Sequence, residues 1–358
     1  MPSLKEIKGR INSISSTLAI TSAMKMVAAA KLQKAQMAIQ NMLPYERRLH
    51  SMLIDLMGAM NISAAASEDG SVRGSGSAER GFDQSGDRLS LSNRHDLAGM
   101  DGAYSLMAQR QVHRVAIVAF ASNSSLCGAF NSNAIREATA VINEYRASGL
   151  RDSDIVVYSV GRKMAEAMKK LGFPSPADFT KMSDSPSYDA ASALAQELFD
   201  GFVSGRFDKV ELVYNHYKST SSQPTTRQTY LPLSLADATA DLQAGKIADS
   251  ASESDTNRGA EPVGAPVVRQ GSPTTEDLIV EPSKEALIAT LLPKVIRLRI
   301  FTTLLDSAAA EHAARTVAMQ LATDNGNDLL QELTLEYNKG RQQKITSEIL
   351  DLVGGSMQ

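Results

Sequence analysis

Ser124, Ser125 and Cys127 follow the apolar run His113-Arg-Val-Ala-Ile-Val-Ala-Phe, where a strand-to-helix turn would present a nucleophile. The chemistry stops there. Leu126-Cys-Gly-Ala-Phe lacks the glycine–x–serine–x–glycine elbow, and no neighbouring residue marks a general base. Cys127 and Gly128 therefore read as turn and packing residues. The five histidines are scattered, and no Walker loop, dinucleotide fingerprint, paired metal-binding cysteines or His-x-x-x-His occurs. The expectation is a chain with no catalytic, cofactor-binding or metal-ligating residues.

Two other groupings carry more information. Met24-Lys-Met-Val-Ala-Ala-Ala-Lys-Leu is rich in small residues that let another helix approach closely, with Lys25 and Lys31 on its polar sides. Near the C-terminus, Glu336, Asn338, Lys339, Arg341, Gln342, Lys344, Thr346 and Glu348 crowd one stretch. Such a set reads either as a solvated face or as breakable contacts to a partner.

The elements that carry these residues are unusual. From Leu4, apolar positions step alternately by three and four through Ile7, Ile11, Ile14, Leu18, Ala28, Leu32, Ala35, Ile39, Met42, Leu49, Leu53 and Leu56 to Met60. Thr21, Lys25 and Glu46 are the polar interruptions of what is otherwise a coiled-coil seam. Sixty helical residues would reach roughly 90 Å, which makes this segment a shaft or strut. Pro44 lies inside it, and because the phase persists on both sides, a kink is expected there and not an end. Residues 283–358 form a second long helix, in which Val295, Leu298, Phe301, Leu305 and Ala308 keep the spacing and Leu329, Leu333, Ile345, Ile349 and Leu352 resume it. The two termini are expected to wrap antiparallel, with the intervening domain hanging where they part.

Between them the pattern changes to strands alternating with helices. Strands are expected at 113–120, 154–160, 207–217 and, at an edge, 229–233; helices at 133–146, 162–171 and 188–203. That order gives a Rossmann-like α/β domain with a mostly parallel sheet. Two Ser-, Gly- and Asp-rich stretches lack periodicity and read as mobile insertions. The expected organisation is an N-terminal helix over 1–62, an insertion over 63–110, the α/β domain over 111–244, an insertion over 245–275, and a C-terminal helix over 276–358. A short helix near 104–110 and an extended piece at 278–280 complete it.

Composition narrows the partners. The chain of 358 residues has a net charge of −3, which gives no reason to expect nucleic acid. Residues 1–60 are nevertheless basic, with eight Lys and Arg against three Asp and Glu. A helical protein partner is favoured for that stretch, ahead of acidic lipid or phosphate, because the seam calls for one. No apolar run is long enough to span a membrane and no signal-peptide core develops, so a cytosolic chain attached to membranes only through partners is expected. With Cys127 as the single cysteine, an internal disulfide is impossible.

Four motifs in order resemble the gamma subunit of F-type ATP synthases. They are Ile7-Lys-Gly-Arg-Ile with Ile20-Thr-Ser-Ala-Met-Lys-Met-Val-Ala-Ala-Ala-Lys-Leu; Ser125-Leu-Cys-Gly-Ala-Phe-Asn-Ser-Asn; Phe207-Asp-Lys-Val-Glu-Leu-Val-Tyr-Asn; and Glu311-His-Ala-Ala-Arg-Thr-Val-Ala-Met, continuing through Ala322-Thr-Asp-Asn-Gly and Leu333-Thr-Leu-Glu-Tyr-Asn-Lys-Gly-Arg-Gln-Gln-Lys-Ile-Thr-Ser-Glu-Ile. The resemblance covers the chain outside the two insertions. It implies a rotor stalk: an antiparallel coil inserted into a ring of three alpha and three beta subunits, one copy per complex, with the α/β domain outside near the membrane, touching epsilon and the c-ring. It also implies the cytoplasmic face of a bacterial inner membrane, and coupling of proton flow to ATP synthesis without a catalytic site in this chain.

On the matching positions, the resemblance implies that Met24 and Lys25 lie beside the moving lever of beta. Arg341 and Gln342 make its catch contacts, supported by Thr346 and Glu348, and Leu352 and Val353 sit in an apolar bearing. Asn123-Ser-Ser stands where the family usually has Asp-Arg-Gly, so a charged contact is missing from that turn. A free-standing coiled-coil adaptor and a nucleotide-using enzyme remain as alternatives; the first would ignore the ATPase hexamer, and the second would bind ATP or NAD by itself.

Overall fold

The computed structural model describes residues 3–68, 106, 110–233 and 284–356. The expected insertions fall largely outside them, as do the short helix near 104–110, except Leu106 and Arg110, and the extended piece at 278–280. Helix α1 spans Leu4–Glu68, and the last helix, here α6, spans Lys284–Ser356. At 65 and 73 residues they reach about 98 and 110 Å. Both are built around an internal proline, Pro44 and Pro293, through which the helix continues.

Between them lie β1 (Val115–Phe120), α2 (Phe130–Ala147), β2 (Ile155–Val160), α3 (Arg162–Lys170), a short α4 (Thr180–Asp184), α5 (Tyr188–Val203), β3 (Lys209–Asn215) and β4 (Thr225–Leu231). The sheet order is β2-β1-β3-β4. β1 runs parallel to both neighbours, with Val115 beside Ile155 on one side and Lys209 on the other, and β4 is an antiparallel edge strand. The sequence expectation stands in its order of elements; the edge strand starts four residues earlier than expected, and α4 was not anticipated.

β1 is buried along its whole length because both faces are covered. Val115, Ile117 and Ala119 point toward α2 and α3, where Ala134, Ala138, Ile142, Met164 and Met168 receive them. Ala116, Val118 and Phe120 point the other way, into a core shared with Leu194, Leu198 and Phe202 of α5. That second core also takes Leu49, Leu53 and Leu56 from α1 and Ile288, Leu292 and Val295 from α6. The coil is thus one wall of the domain. The helices do not part at the domain as the sequence suggested: Thr302 Oγ1 of α6 still donates to Glu46 Oε1 of α1 at 3.0 Å beside it.

A buried ionic group braces the opposite side of the sheet. Glu211 on β3 is 1 % exposed, accepts from Tyr145 Oη at 2.6 Å and Arg227 Nε at 2.7 Å, and pairs with Lys209 Nζ at 2.6 Å. Arg227 reaches Glu144 as well. Burial alone would raise the Glu211 pKa; the three donors outweigh it and hold the carboxylate below its ordinary range.

Candidate functional site

The heptad positions of α1 are the residues that turn inward. From Leu4 to Leu56, every seam position is buried or half-buried, including the polar Thr21, Lys25 and Glu46. Contacts fix the partner register. A Cβ on Gly340 would lie 3.2 Å from Leu4 Cδ2, and one on Gly326 would lie 2.7 Å from Leu18 Cδ2. Thr323 Oγ1 donates to Thr21 Oγ1 at 3.2 Å. Each step forward along α1 is matched by an equal step back along α6, so the pair is antiparallel. Small residues set its closeness: Ala28, Ala309, Ala310 and Ala313 are buried, with Leu32 packed on Ala309 and Ala313.

This register has a consequence at the tip. Leu4 faces Gly340, so the sixteen residues 341–356 continue past the start of α1 as a single helix about 24 Å long. Residues 341–350 are all exposed. Ile345, Ile349, Leu350, Leu352 and Val353 place an apolar stripe on it, with Leu352 74 % exposed. A lone helix in water gains little from such a stripe, since isolated helices are marginal and depend on packing. An apolar, solvent-facing spike of this kind marks a docking surface.

The residues that the resemblance singles out divide between two levels of this shaft. Arg341, Gln342, Thr346 and Glu348 lie on the overhang, and all are exposed. Thr346 Oγ1 donates back to Gln342 O at 2.9 Å, and Glu348 stands 3.7 Å from Lys344 Nζ, an exposed pair of little energetic weight. Leu352 and Val353 follow on the same helix. Met24 and Lys25 lie far below, half-buried in the seam region. The side chains that α1 turns outward there are Ile20, Met26 and Val27, which the sequence reading did not single out. Their signal was available: large apolar residues at off-seam positions within an otherwise regular heptad.

The crevice beyond the carboxyl ends of β1 and β3, where an α/β sheet offers a ligand site, is filled by α6. Arg315 Nη2 donates to Ser124 Oγ at 2.7 Å, and its Nη1 donates to Glu311 Oε1 at 2.7 Å. Glu311 is nearly buried, and desolvation raises its pKa against the pull of Arg315. Next to it, His312 is pushed down to about 4 by burial and by the Arg315 and Lys31 charges, so it is neutral at physiological pH. A void of about 10 Å³ bounded by Phe120, Ser183, Ser307 and Glu311 is room for a water molecule and no more. The Ser124–Cys127 turn is tied into this junction. Cys127 is buried and accepts from Asn131 Nδ2 at 3.2 Å. Asn123 donates to Thr180 O and accepts from the Arg162 amide, each at 2.7 Å. The Arg162 guanidinium also donates to Asn123 O at 2.7 Å.

Comparison with known proteins decides what this shaft is. The family model described as ATP synthase matches residues 3–357. The ATP synthase gamma chain of Phocaeicola vulgatus is 47% identical over 357 residues, covering 100% of both chains. The chain belongs to the ATP synthase gamma chain family. The gamma chain of Bacteroides thetaiotaomicron is 45% identical over 358 residues, again covering 100% of both chains. These alignments run the full length, so both gamma chains match this one through 63–110 and 245–275 as well. A chain of the Euglena gracilis mitochondrial ATP synthase shares the fold, with a TM-score of 0.52 at 18% identity, covering 99% of this chain and 93% of that one.

Members of this gamma chain family are non-catalytic, and the chain is the rotor-stalk subunit that couples c-ring rotation to catalysis in ATP synthase. Among the described residues, no helix is long and apolar enough to cross a membrane.

Proposed function

We propose that the coil of α1 and α6 is the shaft of this rotor and that its single-helix tip turns inside a ring of three alpha and three beta subunits. The observation that carries this reading is the overhang: sixteen residues of continuous helix, of which 341–350, Leu352 and Val353 are exposed. One copy serves each complex. Leu352 and Val353 run in the apolar bearing; Arg341 and Gln342, with Thr346 and Glu348, make the catch with beta; Met24 and Lys25 meet the beta lever. The α/β domain remains below the ring, against epsilon and the c-ring, on the cytoplasmic face of a bacterial inner membrane.

The physical logic is that a rotor meets three equivalent partners in turn, so each contact must break easily. Exposed hydrogen-bonded pairs contribute about 0–1 kcal/mol, whereas breaking a buried pair costs about 3–5 kcal/mol. Arg341, Gln342 and Glu348 belong to the first kind. Unequal faces then give the three beta subunits different contact free energies, which is the requirement for shifting their conformations.

The test is reconstitution with purified alpha and beta subunits. A stable hexamer containing one copy of this chain, with ATPase activity that depends on it and is weakened by Arg341→Ala/Gln342→Ala, is the expected result. Failure to assemble or to change activity, from a folded helical chain, would overturn the reading in favour of a free-standing adaptor.

A further inference from the structure

Where β3 ends, two consecutive residues reach out of the domain to the coil. His216 Nδ1 lies 2.6 Å from Asp306 Oδ2 of α6, and the Tyr217 backbone N–H donates to Asp306 Oδ1 at 2.9 Å. Both carboxylate oxygens are therefore used by one corner of the domain. The Tyr217 hydroxyl accepts from Gln36 Nε2 of α1 at 2.6 Å. Its ring packs against Leu32, Ala309 and Ala313 on one side and Cys127, Phe130 and Ala310 on the other. Other bonds tie the domain to α6, such as Tyr230 Oη to Ile296 O and Arg315 to Ser124. Tyr217 bonds to both helices of the coil and wedges between them and the domain.

We propose that this His216–Tyr217–Asp306–Gln36 clasp is the joint through which torque applied to the α/β domain enters the coil, with His216 as its positioning residue. The inference rests on the rotor reading above and adds the path by which force crosses the chain. A twist of the domain about the shaft displaces the end of β3 tangentially. The apolar wall below, with its bonds from Tyr230 to Ile296 O and from Arg297 to Gln196, resists sliding mostly through non-directional packing and reaches α6 alone with those bonds. Bonds in two directions to one carboxylate, and a third to the other helix, resist that displacement directionally.

The clasp also has a pH signature. The hydrogen bond to Asp306 raises the His216 pKa above its ordinary 6.5, while partial burial and Lys218 on its own loop oppose the rise; Gln36, which α1 bonds to this corner, is neutral. Because the folded value is the higher one, the imidazolium contribution is complete below the ordinary value and is lost as pH rises through the folded value.

The experiment has two readouts on wild-type chain, Asp306→Ala, Tyr217→Phe and His216→Gln. Hydrogen exchange on the full chain follows the Tyr217 amide between pH 6 and 8, corrected for intrinsic rates. In the complete ATP synthase in liposomes, ATP-driven proton pumping is compared with ATP hydrolysis by the detached alpha–beta–gamma subcomplex. Asp306→Ala is expected to speed Tyr217 exchange about tenfold, the equivalent of one charged hydrogen bond, and to lower pumping severalfold with subcomplex hydrolysis unchanged. His216→Gln should remove the pH dependence of Tyr217 protection, and Tyr217→Phe should lower pumping with the Asp306 bond intact. An open Tyr217 amide with full pumping, or a protected amide in Asp306→Ala, overturns the proposal. A wild-type chain that never assembles overturns the rotor reading instead.

Discussion

Removal of Arg315 tests whether the junction between coil and domain is a buried ion pair or a solvated one. Its guanidinium bonds Glu311 and Ser124, and the two charged side chains are only 12 % and 9 % exposed. Arg315→Met keeps much of the volume but strands the Glu311 carboxylate among Leu304, Ser307 and Ala308. Stranding a buried charge costs about 3–5 kcal/mol, whereas replacing both members by apolar residues is close to neutral. Lys31 and Asp184 also bear on Glu311, with opposite signs. The expected order is therefore Arg315→Met least stable, with Glu311→Met/Arg315→Met close to wild type, a coupling of about 3 kcal/mol. The pH sign follows from Glu311 having its pKa raised: its protonated form is favoured by folding, so its contribution is best at low pH and declines as pH rises through the folded value. In Arg315→Met that decline should steepen. Urea unfolding of the full chain, followed by helical circular dichroism with the slopes compared between variants, measures both effects. A double variant as unstable as Arg315→Met, or a single variant within 1 kcal/mol of wild type (about the worth of an exposed pair), would refute the buried-pair argument.

Two further outcomes follow from the same geometry. Gly326→Leu should push α1 and α6 apart at Leu18 and lower coil stability by about 1–3 kcal/mol, while Gly326→Ala stays near wild type, because the better helix propensity offsets a contact that falls first on a terminal methyl; thermal melts that rank the two equally would contradict the register. Glu211 has its pKa lowered, so its stabilisation is complete above the unfolded carboxylate range and is lost as pH falls through the folded value; Glu211→Gln should destabilise the domain at pH 7 and flatten its acid unfolding curve, which a pH titration of near-ultraviolet circular dichroism reads directly.

The N-terminal half of the coil was legible because its seam is made of the residues that the pattern rule recognises. Leu4, Ile7, Ile11, Ile14 and Leu18 fall where they were expected. α6 was harder. Leu329 is in phase with the sequence reading, yet it faces solvent. The inward positions in that stretch are Met319, Thr323, Gly326, Leu330, Leu333, Tyr337 and Gly340, also a three–four series. Two glycines and a threonine hide it from any hydrophobicity count, and Gly326 belongs to the seam only because Leu18 comes so close. The overhang was invisible for a related reason: it depends on which residue faces Leu4, and register is a property of two segments at once. The α/β elements were readable from β1's apolar run and the alternation in Val210, Leu212 and Tyr214. The clasp and the Arg315 junction were not, because Tyr217, Asp306, Ser124 and Arg315 are far apart in sequence and individually ordinary.

The exposed leucines and the polar seam are one problem seen from two sides. Leu321, Leu329 and Leu335 point outward while Thr323, Gly326 and Gly340 point in. Turning α6 by one residue, about 100°, would bring Leu329 inward, a full burial that would contribute about 1.5–3 kcal/mol, but it would carry Asn325, Glu332, Glu336 and Lys339 into the seam with it. That rotation would also withdraw Gly326 and Gly340 from Leu18 and Leu4 and set larger side chains against them, forcing the helices apart at these two levels. Below this level the phase of α6 is fixed by the domain, through Ile288, Leu292, Leu304 and the Asp306 clasp. A stiff helix carries that phase to its tip. The upper coil therefore presents the face that the lower junction dictates, and its outward apolar side chains are best satisfied by a surrounding shell of protein. On this reasoning the shaft needs the ring for its own stability as much as the ring needs the shaft.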